Sequence, residues 1–161
     1  MFNLKAEFYL KIIFLFSFIA LISAFFIEYI LGHQPCNLCL IERIPYGLSI
    51  MIIMAIFLIR KNQKFLVMLL ILTFVFSFAI SFYHFGIEQG FFQESSVCGV
   101  KSLTEIITKE DLLKQLSEKT ISCKDVTFRI FGLSLTSINI VISLLFIITL
   151  SKIFKKYEKN K

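Results

Sequence analysis

Four stretches of the chain are almost unbroken in apolar side chains, and short polar breaks separate them. They run over about 8–31, 39–59, 65–85 and 130–150. Each approaches or exceeds the ~18 to 20 residues that cross a ~30 Å hydrocarbon core, so each predicts a transmembrane helix. Transmembrane strands would instead show alternation over ~10-residue segments. Lys11 and Glu28 fall near enough to the ends of the first run to snorkel. That run is longer than a signal-peptide core and no clear small-x-small cleavage site follows it, so a retained helix is expected. Gly32-His33-Gln34-Pro35 then breaks the chain, with Pro35 pushing the residue before it toward extended geometry. Pro45 falls in the first turns of the second helix, where its missing donor costs least. The third helix is expected to end at Tyr83-His84-Phe85-Gly86.

The segment 86–129 differs in kind, carrying acidic and basic residues throughout. Ser102-Leu103-Thr104-Glu105 reads as a capping box, and Leu103, Ile106, Ile107, Leu113 and Leu116 follow at helical spacing. They predict a short amphipathic helix, either lying in the membrane interface or packed on the bundle. Arg60, Lys61 and Lys64, and then Lys152, Lys155, Lys156, Lys159 and Lys161, flank apolar runs. The positive-inside rule makes their side cytoplasmic. Both termini then lie in the cytoplasm, and the loops at about 32–38 and 86–129 face out.

Composition agrees with this pattern. The 161 residues suit one domain, 57% are apolar, and the mean hydropathy is +0.82. The expected fold is an all-α membrane protein, a four-transmembrane-helix bundle whose second outer loop carries a short helix. The net charge of +6 lies mostly in the flanking clusters. No basic face with base-reading or stacking groups accompanies it, so the lipid bilayer and not nucleic acid is the expected partner.

Candidate chemistry lies in the four cysteines, Cys36, Cys39, Cys98 and Cys123, all within the predicted outward loops or at their edge. Thiols so placed form disulfides in an oxidising compartment. Three pairings are open, the simplest joining Cys36 to Cys39 and Cys98 to Cys123. Closing the loop from Cys98 to Cys123 would stabilise the fold by about 3 kcal/mol, whereas the short C-x-x-C loop removes little chain entropy. A zinc site fits poorly, because only one C-x-x-C is present and exposed thiols would oxidise; no metal is expected. A redox role accounts for more. Cys39 would open a helix with Arg43 one turn further on, and both helix dipole and guanidinium favour a thiolate. Arg43 reads equally well as an interfacial anchor paired with Glu42.

These residues resemble a known family, the disulfide bond formation protein B (DsbB) family of bacterial inner membranes. The resemblance covers nearly the whole chain: Pro35-Cys36-x-x-Cys39-x-x-Glu42-Arg43, Tyr83-His84-x-Gly86-x-Glu88, Cys98, Cys123, Phe128-Arg129-x-x-Gly132-Leu133-Ser134 and Asn139. It implies a thiol:quinone oxidoreductase, with Cys36, Cys39, Cys98 and Cys123 as its catalytic residues. A reduced periplasmic thioredoxin-like protein of the DsbA type attacks the Cys98–Cys123 disulfide and forms a mixed disulfide with Cys98. Cys123 exchanges with Cys36, and Cys39 becomes the thiolate facing ubiquinone or menaquinone from the membrane pool. Arg43 and His84 are the residues expected beside the quinone, while Glu42 is expected to hold Arg43 or the backbone, and His33 to be structural or solvent-exposed. Phe91 and Phe92 stand where the family often has Trp, and the charged second loop leaves room for a paralogue dedicated to one partner. The alternative outside enzymes is a membrane scaffold whose outer loop is stapled by Cys98–Cys123.

Overall fold

The computed structural model describes residues 4–59, 62–94, 98, 122–124, 129–130 and 133–159. Among them are four helices long and apolar enough to cross a membrane. The first, α1, spans Leu4–Tyr29. It stops because Gly32 takes a φ of +71°, a left-handed turn that an L side chain resists. The carbonyls of Phe26 and Ile27 then accept from the backbone N–H groups of Leu31 and His33.

The second crossing is divided. Helix α2 spans Asn37–Ile41 and α3 spans Ile44–Leu58. One continuous helix from Cys39 was expected, with Pro45 tolerated in its first turns. Pro45 has no N–H to offer the carbonyl of Ile41, and the helix is interrupted at Glu42 and Arg43 before restarting with proline in its first turn. Helix α4, Gln63–Glu88, continues past the expected end at Phe85 and stops where Gly90 takes a φ of +78°. His84 and Glu88 therefore share one helical face.

Two-residue strands follow: β1 (Arg129–Ile130) pairs antiparallel with β2 (Leu133–Ser134), Arg129 opposite Ser134. The last helix, α5, spans Leu135–Lys159. The helix begins later than the expected 130 because this hairpin precedes it, and Ser134 caps it by accepting from the Ser137 N–H at 3.2 Å. The amphipathic helix expected over 103–116 lies outside the described residues.

The molecule is thus mostly helical, a bundle in which α4 packs most extensively on α5 while α3 lies between α1 and α4. One end is filled by Leu10, Ile13, Ile52, Ile53, Ile56, Val67, Leu70, Phe74 and Leu150. Phe74 and Phe146 meet edge to face at 4.9 Å. Buried serines let the helices approach closely, with Ser49 donating to Ser17 at 3.0 Å and Ser143 to Ser77 at 3.1 Å. Large apolar side chains such as Phe18, Ile22, Leu58, Phe76 and Leu145 point outward, the surface a lipid-facing helix presents. The other end of the bundle is polar inside and holds the cysteines.

Candidate functional site

Cys36 is the N-cap of α2. It takes an extended backbone after Pro35, and its sulfur accepts from the Cys39 N–H at 3.2 Å. Cys39 follows one turn later. Both are free thiols, whereas Cys98 and Cys123 form a disulfide with Cα atoms 5.7 Å apart. The simplest pairing also joined Cys36 to Cys39; the structure leaves those two sulfurs unbonded to each other. Cys36, Cys98 and Cys123 are buried in one cluster with Leu38 and Ile87, against which Cys39, Ile41 and Tyr83 pack. The fold therefore brings all four cysteines, distributed over two loops in the sequence, to one place.

His84 projects from α4 into the same place. Its Nε2 lies 3.6 Å from Cys36 Sγ and its Nδ1 lies 2.8 Å from Glu42 Oε1. A carboxylate can only accept, so Nδ1 carries the proton and Nε2 faces the sulfur. Thr136 of α5 sits 3.3 Å from Nδ1 and donates to Glu88 Oε1 at 2.7 Å. The Cys36 thiol is held well below its ordinary value, at about 5, first by the Cys39 side chain and then by His84, against the burial that opposes ionisation. Sequence reasoning placed the stabilised thiolate on Cys39, next to Arg43. Arg43 is instead committed to α1, where it donates to Glu28 and lies 5.3 Å from the centre of the Phe25 ring.

Glu42 is the hub that sequence reasoning missed. Expected to hold Arg43 or the backbone, it accepts from His84 through one oxygen and from Asn139 Nδ2 at 3.1 Å through the other. Asn139 also donates to Ser81 at 2.7 Å and accepts from Tyr46 Oη. The helix break before Pro45 leaves Glu42 between α4 and α5, where it stays buried and paired. Its position in the Cys39-x-x-Glu42-Arg43 run was the available signal, as was that of Glu88 in Tyr83-His84-x-Gly86-x-Glu88; Glu28 and Thr136 gave none.

Beside this network lies a cavity of about 350 Å³ between α1, the α2–α3 segment and α5. Its wall is mostly apolar, with Phe16, Ile19, Ala24, Ile27 and Leu135 among the lining residues. Cys39, Glu42, Arg43 and Asn139 supply its polar side, and His33 also lines it. His84 lies directly behind the wall, against its residues Glu42 and Thr136 and within 4.8 Å of the Cys39 sulfur. An apolar cleft with a few convergent polar groups suits a small planar ligand, and the residues present fit a quinone ring. Metal is a second possibility the geometry creates. The ligand atoms of Cys36, Cys39 and His84 lie within 4.8 Å of one another, a donor set suited to zinc, with Glu42 behind the imidazole.

Residues 6–152 match the family model described as "Disulfide bond formation protein DsbB". An uncharacterized protein, RP370, of Rickettsia prowazekii (strain Madrid E) is 32% identical over 147 residues, covering 90% of this chain and 86% of that protein. With the family match running across four membrane-length helices and all four cysteines, the chain belongs to the DsbB family, multi-pass membrane proteins of disulfide bond formation.

Proposed function

We propose that the protein is a dithiol:quinone oxidoreductase of the bacterial inner membrane, with both termini cytoplasmic. It reoxidises a periplasmic thioredoxin-like protein of the DsbA type and delivers the electrons to the membrane quinone pool. The supporting observation is spatial. Cys36 is buried with the Cys98–Cys123 disulfide on one side, and Cys39 of the same C-x-x-C lines an apolar cavity on the other.

Each cysteine then has a defined task. The partner's thiolate attacks Cys98, and the disulfide breaks with its electron pair on Cys123. With Cys36 and Cys39 oxidised, the Cys123 thiolate attacks Cys36, and the bond pair passes to Cys39. The partner's second thiol then attacks its own sulfur in the mixed disulfide, leaving the partner oxidised and releasing Cys98. Cys98 attacks Cys123, restoring the outer disulfide and releasing Cys36. Two electrons thereby rest on Cys36 and Cys39 as thiols, with the Cys98–Cys123 disulfide restored. Bound in the cavity, ubiquinone or menaquinone supplies a two-electron, two-proton acceptor. Arg43, pinned by Glu28 and Phe25, holds a positive charge at the cavity wall without closing it.

Purified quinone-loaded protein, mixed anaerobically with a reduced thioredoxin-like dithiol protein, tests this directly. Quinone absorbance should fall with the partner's oxidation, and Cys39→Ala and Cys98→Ala should each abolish it. A partner that stays reduced beside unchanged quinone overturns the oxidase function and returns the chain to a stapled scaffold.

A further inference from the structure

We propose that Cys36, Cys39 and His84 form a zinc site in the reduced protein, in which the bound ion holds the two sulfurs as thiolates and opposes their reoxidation. The ion binds whether or not electrons pass to quinone, so the site goes beyond the oxidoreductase function proposed above. Sequence spacing offers only two ligands, because one C-x-x-C is half of a zinc-binding pattern. The third comes from α4: His84 lies 48 residues beyond Cys36, and the bundle brings the two together.

The donor atoms of Cys36, Cys39 and His84 all lie within 4.8 Å of one another. Tetrahedral zinc, with bonds of about 2.3 Å to sulfur and about 2.0 Å to nitrogen, needs donors about 3.6 to 3.8 Å apart. Cys36 Sγ and His84 Nε2 already stand at 3.6 Å. Drawing the Cys39 sulfur into place takes about 1 Å of side-chain movement. The imidazole is set for a metal as well. Glu42 Oε1 accepts from Nδ1 at 2.8 Å, which fixes the tautomer and leaves the Nε2 lone pair facing the sulfur, and Asn139 holds Glu42 in turn. A carboxylate behind the ring is the usual support of a zinc-bound histidine.

Charge and access favour the ion. Two thiolates cancel its charge, so the complex with a neutral imidazole is neutral where Cys36 and His84 are buried. Glu42 and Glu88 add negative potential, Glu88 Oε1 being 3.9 Å from Nε2, and the positive charge of Arg43 is paired with Glu28. Cys39 lines the cavity, which gives the ion an entrance and its fourth position a water. Thiolate and imidazole donors together select zinc over magnesium or calcium.

Binding needs no further reactant. Each thiol loses its proton as its sulfur–zinc bond forms, two protons pass to solvent for each ion, and no electron moves. A Cys36–Cys39 disulfide has no thiolate to offer, so the site exists only in the reduced state. The ion draws on the sulfur electron pairs that reoxidation uses, so zinc and reoxidation compete.

Metal titration tests the site without quinone or partner. The whole chain carrying Cys98→Ala and Cys123→Ala, so that only the inner pair is available, is reduced, freed of reductant and titrated anaerobically with zinc chloride against a chromophoric chelator. One zinc should bind per chain. Affinity should fall about 100-fold or more when the inner pair is oxidised, about tenfold or more in His84→Ala, and about tenfold in Glu42→Gln. Cobalt chloride should give a thiolate-to-metal band in the near ultraviolet and the intense visible bands of four-coordination. Equal affinity in the reduced and oxidised forms, or cobalt without the thiolate band, overturns the site, and neither comparison depends on the folding of a ligand variant. Unchanged affinity in His84→Ala overturns it too. With Cys98 and Cys123 restored and quinone loaded, saturating zinc should hold quinone absorbance constant until a chelator is added. Reduction at the zinc-free rate overturns the competition. No quinone reduction in the zinc-free control overturns instead the oxidoreductase function, and the binding result stands apart from it.

Discussion

Replacing Asn139 by leucine tests the buried network with little change in volume. The amide reaches three partners on other segments: Glu42, Ser81 and Tyr46. An interhelical hydrogen bond inside a membrane protein is worth about 0.6 kcal/mol on average and about 1.7 kcal/mol at most. Three average bonds give about 2 kcal/mol as a lower bound. Glu42 raises the figure, because a buried carboxylate deprived of its donor incurs about 1–3 kcal/mol of unrecovered desolvation. We expect Asn139→Leu to cost about 2–4 kcal/mol. Reversible unfolding in mixed micelles of rising sodium dodecyl sulfate fraction, followed by circular dichroism, measures it. Ser143→Ala, which removes the single interhelical bond to Ser77, should cost about 0.6 kcal/mol and serves as the scale. A loss for Asn139→Leu no larger than that of Ser143→Ala would refute the claim that this amide ties the helices together.

Three further perturbations probe separate features. Gly86→Ala places a methyl 2.1 Å from Cδ2 of the Phe92 ring, which stacks on Tyr83 at 5.7 Å, so the ring must leave. A stability loss of about 1–3 kcal/mol is expected, largely recovered by adding Phe92→Ala, and an unchanged melting temperature contradicts the packing. In the reduced protein, ultraviolet thiolate absorbance should show Cys36 ionising at about 5 instead of its ordinary value of 9.0, with Cys39→Ala moving the transition upward. Because the folded value is the lower one, the unfolded chain binds more protons between these values. The contribution of Cys36 to stability is therefore lost as pH falls through about 5, and thiolate absorbance that appears only near the ordinary value of 9.0 excludes the shift. Arg43→Lys keeps the charge but loses the fork that serves Glu28 and Phe25 together, so quinone affinity measured by titration should fall about tenfold; unchanged affinity removes Arg43 from the site.

Much of the architecture was legible because its causes are local. Hydropathy over a window reports a membrane crossing wherever its neighbours lie, and the four apolar runs became the four membrane-length helices. The helix ends were less legible. The start of α5 moved because a hairpin precedes it, and α4 lengthened because Gly90, not Gly86, supplies the left-handed turn. At Gly86 the missing side chain serves the ring of Phe92, a contact that no local pattern reports.

By itself the sequence determined the membrane class, the four crossings, the two cysteine-bearing loops and the residue kinds available for redox work. Only the tertiary structure decided who attends whom. Cys36 and His84 are 48 residues apart in the chain, and Glu42 and Asn139 are 97 apart. Whether such side chains meet depends on the azimuth of each helix. Here that azimuth is governed by a break before Pro45 and by the close packing of α4 on α5. Spacing along one helix put Arg43 beside Cys39, and the family resemblance alone put His84 beside the quinone. The bundle pairs Arg43 with Glu28, sets His84 against Cys36 and gives Glu42 the donors His84 and Asn139, since a buried carboxylate must find donors and these helices supply them.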